Sequence, residues 1–189
     1  MQRLNIGLDL DGVLCDFMGA YEERFNTEQH PERLVSLTIT KNCQRVLKTE
    51  REFWLGLPVL NRPDFTPKLY CTERVNAKAW SMGWLERNDM PEAPLYQVFG
   101  NTGKKSPRIK GRVDVFIDDS VSNFIELNMA GIPCLLFNSE ANQDWGLEGR
   151  IWSLDYDTIE REYQVFMEKV FPFFKQIVEF KKEVAERLY

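Results

Sequence analysis

The chain has a single histidine, His30, set in the polar run "NTEQHPER". That setting is a solvated loop or helix start, which excludes a histidine-based triad and a multi-histidine metal site. Its four cysteines, Cys15, Cys43, Cys71 and Cys134, stand singly with no CxxC pair. They read as reduced thiols, Cys15, Cys71 and Cys134 in apolar surroundings, rather than as disulfides or a zinc site. No Lys/Arg tract exists and the net charge is −5, which excludes the basic stripe that polymeric nucleic acid requires. No apolar run approaches the length that crosses a membrane. "MQRLN" does not couple a basic region to a hydrophobic run, so no secretory signal and a cytoplasmic location are expected. Internal repeats and low-complexity segments are also missing.

What is present is the composition of a folded protein. The 189 residues are 43% hydrophobic and 28% charged, enough for one well-cored domain with a small insertion. Five short, nearly continuous apolar runs read as buried strands: 4–10, 68–72, 96–99, 113–118 and 133–137, with a weaker sixth at 150–154. Helical patterns at 75–88 and 120–130 alternate with them, the latter closed by Gly131 and Pro133. This order predicts a doubly wound, Rossmann-like α/β fold with a parallel sheet flanked by helices.

One interval breaks the alternation. Residues 11–67 separate the first two strands, and within them "FMGAYEERFN" and "QRVLKTEREFW" look helical. A small helical cap inserted after strand one is the expected reading, its return marked by Pro58, Pro63 and Pro67. The expected division is therefore a core of 1–16 and 66–156, a cap of 17–65 and a C-terminal helical segment of 157–189. That segment starts with a D-x-x-E pattern, Asp157 to Glu160, resembling a capping box. Tyr163, Phe166, Met167, Val170, Phe174, Ile177 and Val178 form an apolar stripe at helical spacing, which Pro172 should kink or split. Packing on the core is the expected role; the further Phe171, Phe173 and Phe180 leave a homodimer through these helices open.

In an open α/β sheet, ligands bind beyond the carboxyl ends of the strands. Strand one ends in Asp9, Leu10, Asp11 and Gly12, and strand two in Thr72, Glu73 and Arg74. The third leads into "GNTGKKS" with Lys104 and Lys105, and the fourth ends in Asp118 and Asp119. Strands deplete aspartate, and two unit charges 4 Å apart repel by roughly 4 kcal/mol at an effective dielectric of 20, so a cation must offset the four carboxylates. All-oxygen ligation selects a hard ion, Mg²⁺ before Ca²⁺. Carboxylate, hydroxyl, ammonium and magnesium together form an apparatus for phosphoryl transfer. An EF-hand fails because "DLDG" lacks the third acidic position and the closing glutamate, and "GNTGKKS" is too short between its glycines for a Walker A loop.

In the order "DLDGV", "CT", "GKKS", "IDD" the sequence resembles the haloacid dehalogenase-like hydrolases. Through "DLDGVLCDF", "FWLGLP" and "FIDDS" it is similar to their 5'(3')-deoxyribonucleotidase branch. The resemblance implies Asp9 as the nucleophile that forms an aspartyl-phosphate and Asp11 as the acid, then the base. It implies Mg²⁺ held by Asp9, the Asp11 carbonyl and Asp118, with Asp119 completing the site directly or through water, and Thr72 and a lysine on the phosphoryl oxygens. Lys105 is the expected lysine, with Lys104 and Lys110 behind it. Gly12 turns the chain beneath the phosphate. Phe17, Phe53, Trp54 and Phe65 are candidates for an aromatic wall over the leaving group or for the core of the cap. Glu73 and Lys104 are further substrate candidates, and Arg74 either reaches a substrate anion or pairs with an acid. The implied function is hydrolysis of small phosphomonoesters, nucleotides first. The alternatives are a sugar-phosphate or phosphoglycolate-type phosphatase, and a non-catalytic phospho-ligand binder.

Overall fold

A single six-stranded sheet, all parallel, organises the chain in the order β3-β2-β1-β4-β5-β6. The computed structural model describes residues 3–25, 48–74, 76–98, 103–139, 142–143 and 149–188. The strands are β1 (Ile6–Leu8), β2 (Leu69–Thr72), β3 (Leu95–Gln97), β4 (Val115–Asp118), β5 (Cys134–Phe137) and β6 (Arg150–Ile151). Each falls in one of the six apolar runs, shortened at its ends or, for the third, shifted slightly, and β1, β2, β4 and β5 are buried throughout. Continuous burial explains why their sequences do not alternate: helices cover both faces. The centre is tight. Gly7 of β1 lies opposite Phe116 of β4, and a Cβ there would stand 2.7 Å from the Phe116 ring, so glycine admits the aromatic.

The helices are α1 (Phe17–Phe25), α2 (Arg51–Leu55), α3 (Lys78–Arg87), α4 (Ser106–Ile109), α5 (Val121–Met129), α6 (Tyr156–Lys169) and α7 (Phe171–Leu188). α5 matches its expected span, with Ser120 as its N-cap and Gly131 at φ +79° just past its end. α3 starts later than expected because Ala77 is extended. α2 is shorter than the helical pattern at 44–54: residues 48–49 form a turn and Glu50 stands at the N-cap position without a side-chain capping bond, while 44–47, like His30 and Cys43, lie outside the described residues. The other three cysteines are free and buried, as expected.

α1 and α2 stand between β1 and β2, and the chain returns along its own point of departure. Asp16 N–H donates to the Pro58 carbonyl at 3.0 Å, and Leu60 N–H donates to the Leu14 carbonyl at 2.8 Å. Trp84 Nε1 of α3 donates to the Leu57 carbonyl at 2.8 Å, so the returning segment is also fastened to the helix after β2.

The C-terminal segment splits as Pro172 predicts, into α6 and α7, with Pro172 in the first turn of α7, where its missing N–H costs nothing. The expected cap is corrected. Asp155, not Asp157, is the N-cap: extended at ψ 140°, it accepts from Thr158 N–H at 2.8 Å, while Asp157 is already inside the helix. Phe166 and Phe174 pack edge-on against Phe124 of α5, at 6.0 and 5.7 Å. Beyond Phe174 the stripe leaves the core at the exposed Ile177, and Phe173 and Phe180, outside the stripe, are exposed as well. Among the described residues no helix is long and apolar enough to cross a membrane.

Candidate active site

β1 is the point at which strand order reverses, with β2 and β3 on one side and β4 to β6 on the other. Crevices at such reversals are where open α/β sheets bind ligands. Asp9 follows β1 directly, its N–H donating to the Ile117 carbonyl at 3.0 Å, and Asp118 ends the neighbouring β4. Parallel pairing in this register is what brings "DLD" beside "IDD".

Lys105, immediately before α4, inserts its ammonium between them. Its Nζ lies 2.8 Å from Asp9 Oδ2 and 2.7 Å from Asp118 Oδ2, and the lysine is fully buried. Lys104 and Lys110 are exposed, and of the three lysines weighed from the sequence Lys105 is the one that meets the two aspartates. Burial alone would lower the Lys105 ammonium, but Asp118 and then Asp9 outweigh it and hold it well above its ordinary value. Burial pushes the Asp9 carboxyl well up, Lys105 opposes the rise, and Asp118 and Asp11 add to it. Lys105 stays charged between the two, its contacts of 2.8 and 2.7 Å having the length of charge-assisted hydrogen bonds.

Asp118 is held from several sides. Besides Lys105, the Ser120 N–H donates to it at 2.9 Å and Asn123 Nδ2 at 3.2–3.3 Å. Asp119 differs. Its backbone carbonyl accepts from Asn142 Nδ2 at 2.8 Å, while burial and then the neighbouring Asp118 push its carboxyl up to about 8. Asp9, Asp118 and Asp119 each place a ligand oxygen within 4.8 Å of the others. Three carboxylates face one ammonium, and an all-oxygen donor set with excess negative charge fits a hard divalent cation.

Two more groups complete the edge. Thr72, at the end of β2, is fully buried and its Oγ1 has no hydrogen-bond partner, although hydroxyls in such places are ordinarily satisfied. Glu73 beside it is half-buried. Asp11 stands apart from the three-carboxylate cluster. Its side chain accepts from Arg74, Nη2 to Oδ1 at 2.7 Å and Nε to the two oxygens at 3.1 and 3.0 Å. Of the two roles expected for Arg74, it adopts the pairing with an acid.

The aromatic candidates divide. Phe17 stacks on Trp54 at 5.4 Å and both are buried, while Phe65 is buried against Tyr156. Phe53, edge-on to Phe17 and Trp54, is the partly exposed ring. Phe17 and Trp54 are thus packed on each other and Phe65 on Tyr156, all three rings buried.

Asn123 and Asn142 were not singled out from the sequence. Asn123 carried a legible signal, since an amide in the first turn of the helix after "DDS" is placed to reach back to the acids. Asn142 did not: it arrives from a loop beyond β5.

No family model matches the chain, and no curated protein matches it. Among solved structures, a HAD-superfamily hydrolase from Ehrlichia chaffeensis aligns with it at 13% identity, over 88% of this chain and 99% of that one, with a TM-score of 0.41.

Proposed function

We propose that the protein is a magnesium-dependent phosphomonoesterase of the haloacid dehalogenase-like kind. The observation that carries this reading is the meeting of Asp9, Asp118 and Asp119 at the strand-order reversal, with a buried Lys105 bound to the first two. The fold alone would not support it, since one fold hosts many chemistries.

Asp9 attacks the phosphorus of the bound monoester, forming the aspartyl-phosphate as the ester P–O bond breaks, and the departing alkoxide takes a proton from the Asp11 carboxyl. Water then attacks that phosphorus and gives a proton to Asp11, which regenerates Asp9 and releases inorganic phosphate. Lys105 and the Thr72 hydroxyl face the charge on the phosphoryl oxygens. Asp9, Asp118 and Asp119 would hold Mg²⁺ with the Asp11 carbonyl, and the ion supplies further neutralisation of that charge.

Residues 17–65 act in this reading as the cap that chooses the substrate, with nucleoside monophosphates as the preferred class and the partly exposed Phe53 as the ring a base would stack on. Stacking on an aromatic ring is worth roughly 1–3 kcal/mol per base in single-strand binders, which sets the scale for such a preference. The test is phosphate release over a panel of nucleoside monophosphates, sugar phosphates, phosphoglycolate and p-nitrophenyl phosphate, with Mg²⁺ and with EDTA. Magnesium-dependent turnover that is abolished in Asp9→Asn is expected, with nucleotides ahead. A preference for sugar phosphates or phosphoglycolate overturns the nucleotide assignment, and no release from any monoester overturns the phosphatase.

A further inference from the structure

Arg74 is among the most enclosed charged groups of the described chain: a guanidinium with no solvent exposure, two residues beyond Thr72. Three elements and the turn after β1 fix it. Its Nη1 donates to Ser81 Oγ of α3 at 3.4 Å, and its backbone carbonyl accepts from Gln97 Nε2 of β3 at 2.6 Å. Its guanidinium carbon stands 5.2 Å from the Trp54 ring of α2 and 5.9 Å from the Trp84 ring of α3. Its Nη2 lies 2.8 Å from Cys15 Sγ, and that thiol also contacts Asp11 Oδ1 at 3.3 Å. The remaining donor capacity goes to both oxygens of Asp11, whose side chain keeps 20% of its surface open.

This arrangement does more than neutralise a charge. Asp11 is two residues from Asp9 and carries a short, rotatable carboxylate, so a cation beside Asp9 would draw it in as one more ligand. A planar guanidinium engaging both oxygens sets the plane and direction of a carboxylate, which an ammonium cannot do. The guanidinium itself is fully buried, with the Trp54 and Trp84 rings 5.2 and 5.9 Å from its central carbon.

We propose that Arg74 is a positioning residue. It holds the Asp11 carboxylate away from the Asp9, Asp118 and Asp119 cluster, at the place from which Asp11 exchanges protons with the leaving oxygen and the attacking water. Through Trp54 that placement is tied to the segment between β1 and β2. The inference rests on the phosphatase reading above and adds to it a residue on which the acid depends.

A double-mutant cycle in saturating Mg²⁺ tests it, with an alkyl phosphate and p-nitrophenyl phosphate as substrates. Arg74→Lys keeps the charge and loses the fork. It is expected to lower kcat by about 10- to 100-fold on the alkyl ester, within the range general acid–base catalysis supplies. The loss on p-nitrophenyl phosphate should be smaller, and KM should change little. In the Asp11→Asn background the same change should cost nothing further, because the group it positions is gone. Asp11→Asn/Arg74→Gln, which removes both charges of the pair, covers the case in which Arg74→Lys fails to fold; it should match Asp11→Asn alone on p-nitrophenyl phosphate. Losses that multiply in the Asp11→Asn background, or that are equal on both substrates, overturn the role of Arg74. A wild type that is inactive on every monoester overturns the phosphatase reading and this inference together, whereas an active wild type with multiplying losses overturns the inference alone.

Discussion

Gly12 lies directly against Asp119: a Cβ on Gly12 would stand 2.0 Å from Oδ2 of that carboxylate, and the glycine sits at φ +78°. The turn after β1 and the second acid after β4 are therefore built against each other. Gly12→Ala imposes a left-handed backbone that costs an L-residue about 1–2 kcal/mol, and it must also displace Asp119. The variant should stay folded but lose most of the thermal stabilisation by Mg²⁺ and most of the turnover. A Gly12→Ala protein with the wild-type magnesium response would show that Asp119 is dispensable to the ion.

Mg²⁺ should stabilise the wild type, because it would relieve three clustered carboxylates of which Lys105 contacts only Asp9 and Asp118. At 100-fold over its dissociation constant an ion that binds only the folded state adds about 2.7 kcal/mol. For a chain of 189 residues this is a rise of roughly 5–10 °C in Tm, measured by melting in Mg²⁺ against EDTA. Asp119→Asn should shrink the rise. Equal melting temperatures of the wild type with and without millimolar Mg²⁺ would refute the cation site.

Lys105→Met removes the cation that lies within 2.8 Å of both Asp9 and Asp118. Breaking a buried charge pair from one side costs about 3–5 kcal/mol, so the variant should melt well below the wild type in EDTA. Added Mg²⁺ should then recover more for the variant than for the wild type, as the remaining source of positive charge at those oxygens. A smaller recovery in the variant would mean that Lys105 and the ion do not share the same carboxylates.

Asp155 caps α6, and hydrogen bonds from Ser153 and then Thr158 hold its carboxyl below the ordinary carboxylate value. Asp155→Ala should cost about 1 kcal/mol at neutral pH, typical of a lost N-cap. The folded value is lowered, so the charged cap contributes fully above the ordinary value near 4 and loses that contribution as pH falls through the lowered one. Urea midpoints of wild type and Asp155→Asn, followed from pH 7 to pH 2, should converge at the acid end. A constant difference would place the stabilisation outside this carboxylate.

The sheet was legible because its strands are buried on both faces and carry uninterrupted apolar runs, and its parallel order because helical patterns separate them. Aspartates at two strand ends stood out for the same reason: strand chemistry disfavours them, so their presence needed another cause. The sequence also placed Lys105 ahead of Lys104 and Lys110, from its position before "SPRI". What it could not decide were the relations that cross the chain. Asp11 and Arg74 are separated by 63 positions, and no local pattern distinguishes an arginine that meets a ligand from one locked onto an acid. In sequence Trp54 and Phe17 read equally as a wall or as core; in the fold their rings stack on each other. Asn142 reaches the Asp119 carbonyl from beyond β5, and Asp155 rather than Asp157 caps α6 because its backbone, not its spacing, is extended. Periodicity and residue type carry short-range physics, hydrophobic pattern and turn chemistry; which charge meets which, and which ring is covered, is set by long-range packing that has no local signature.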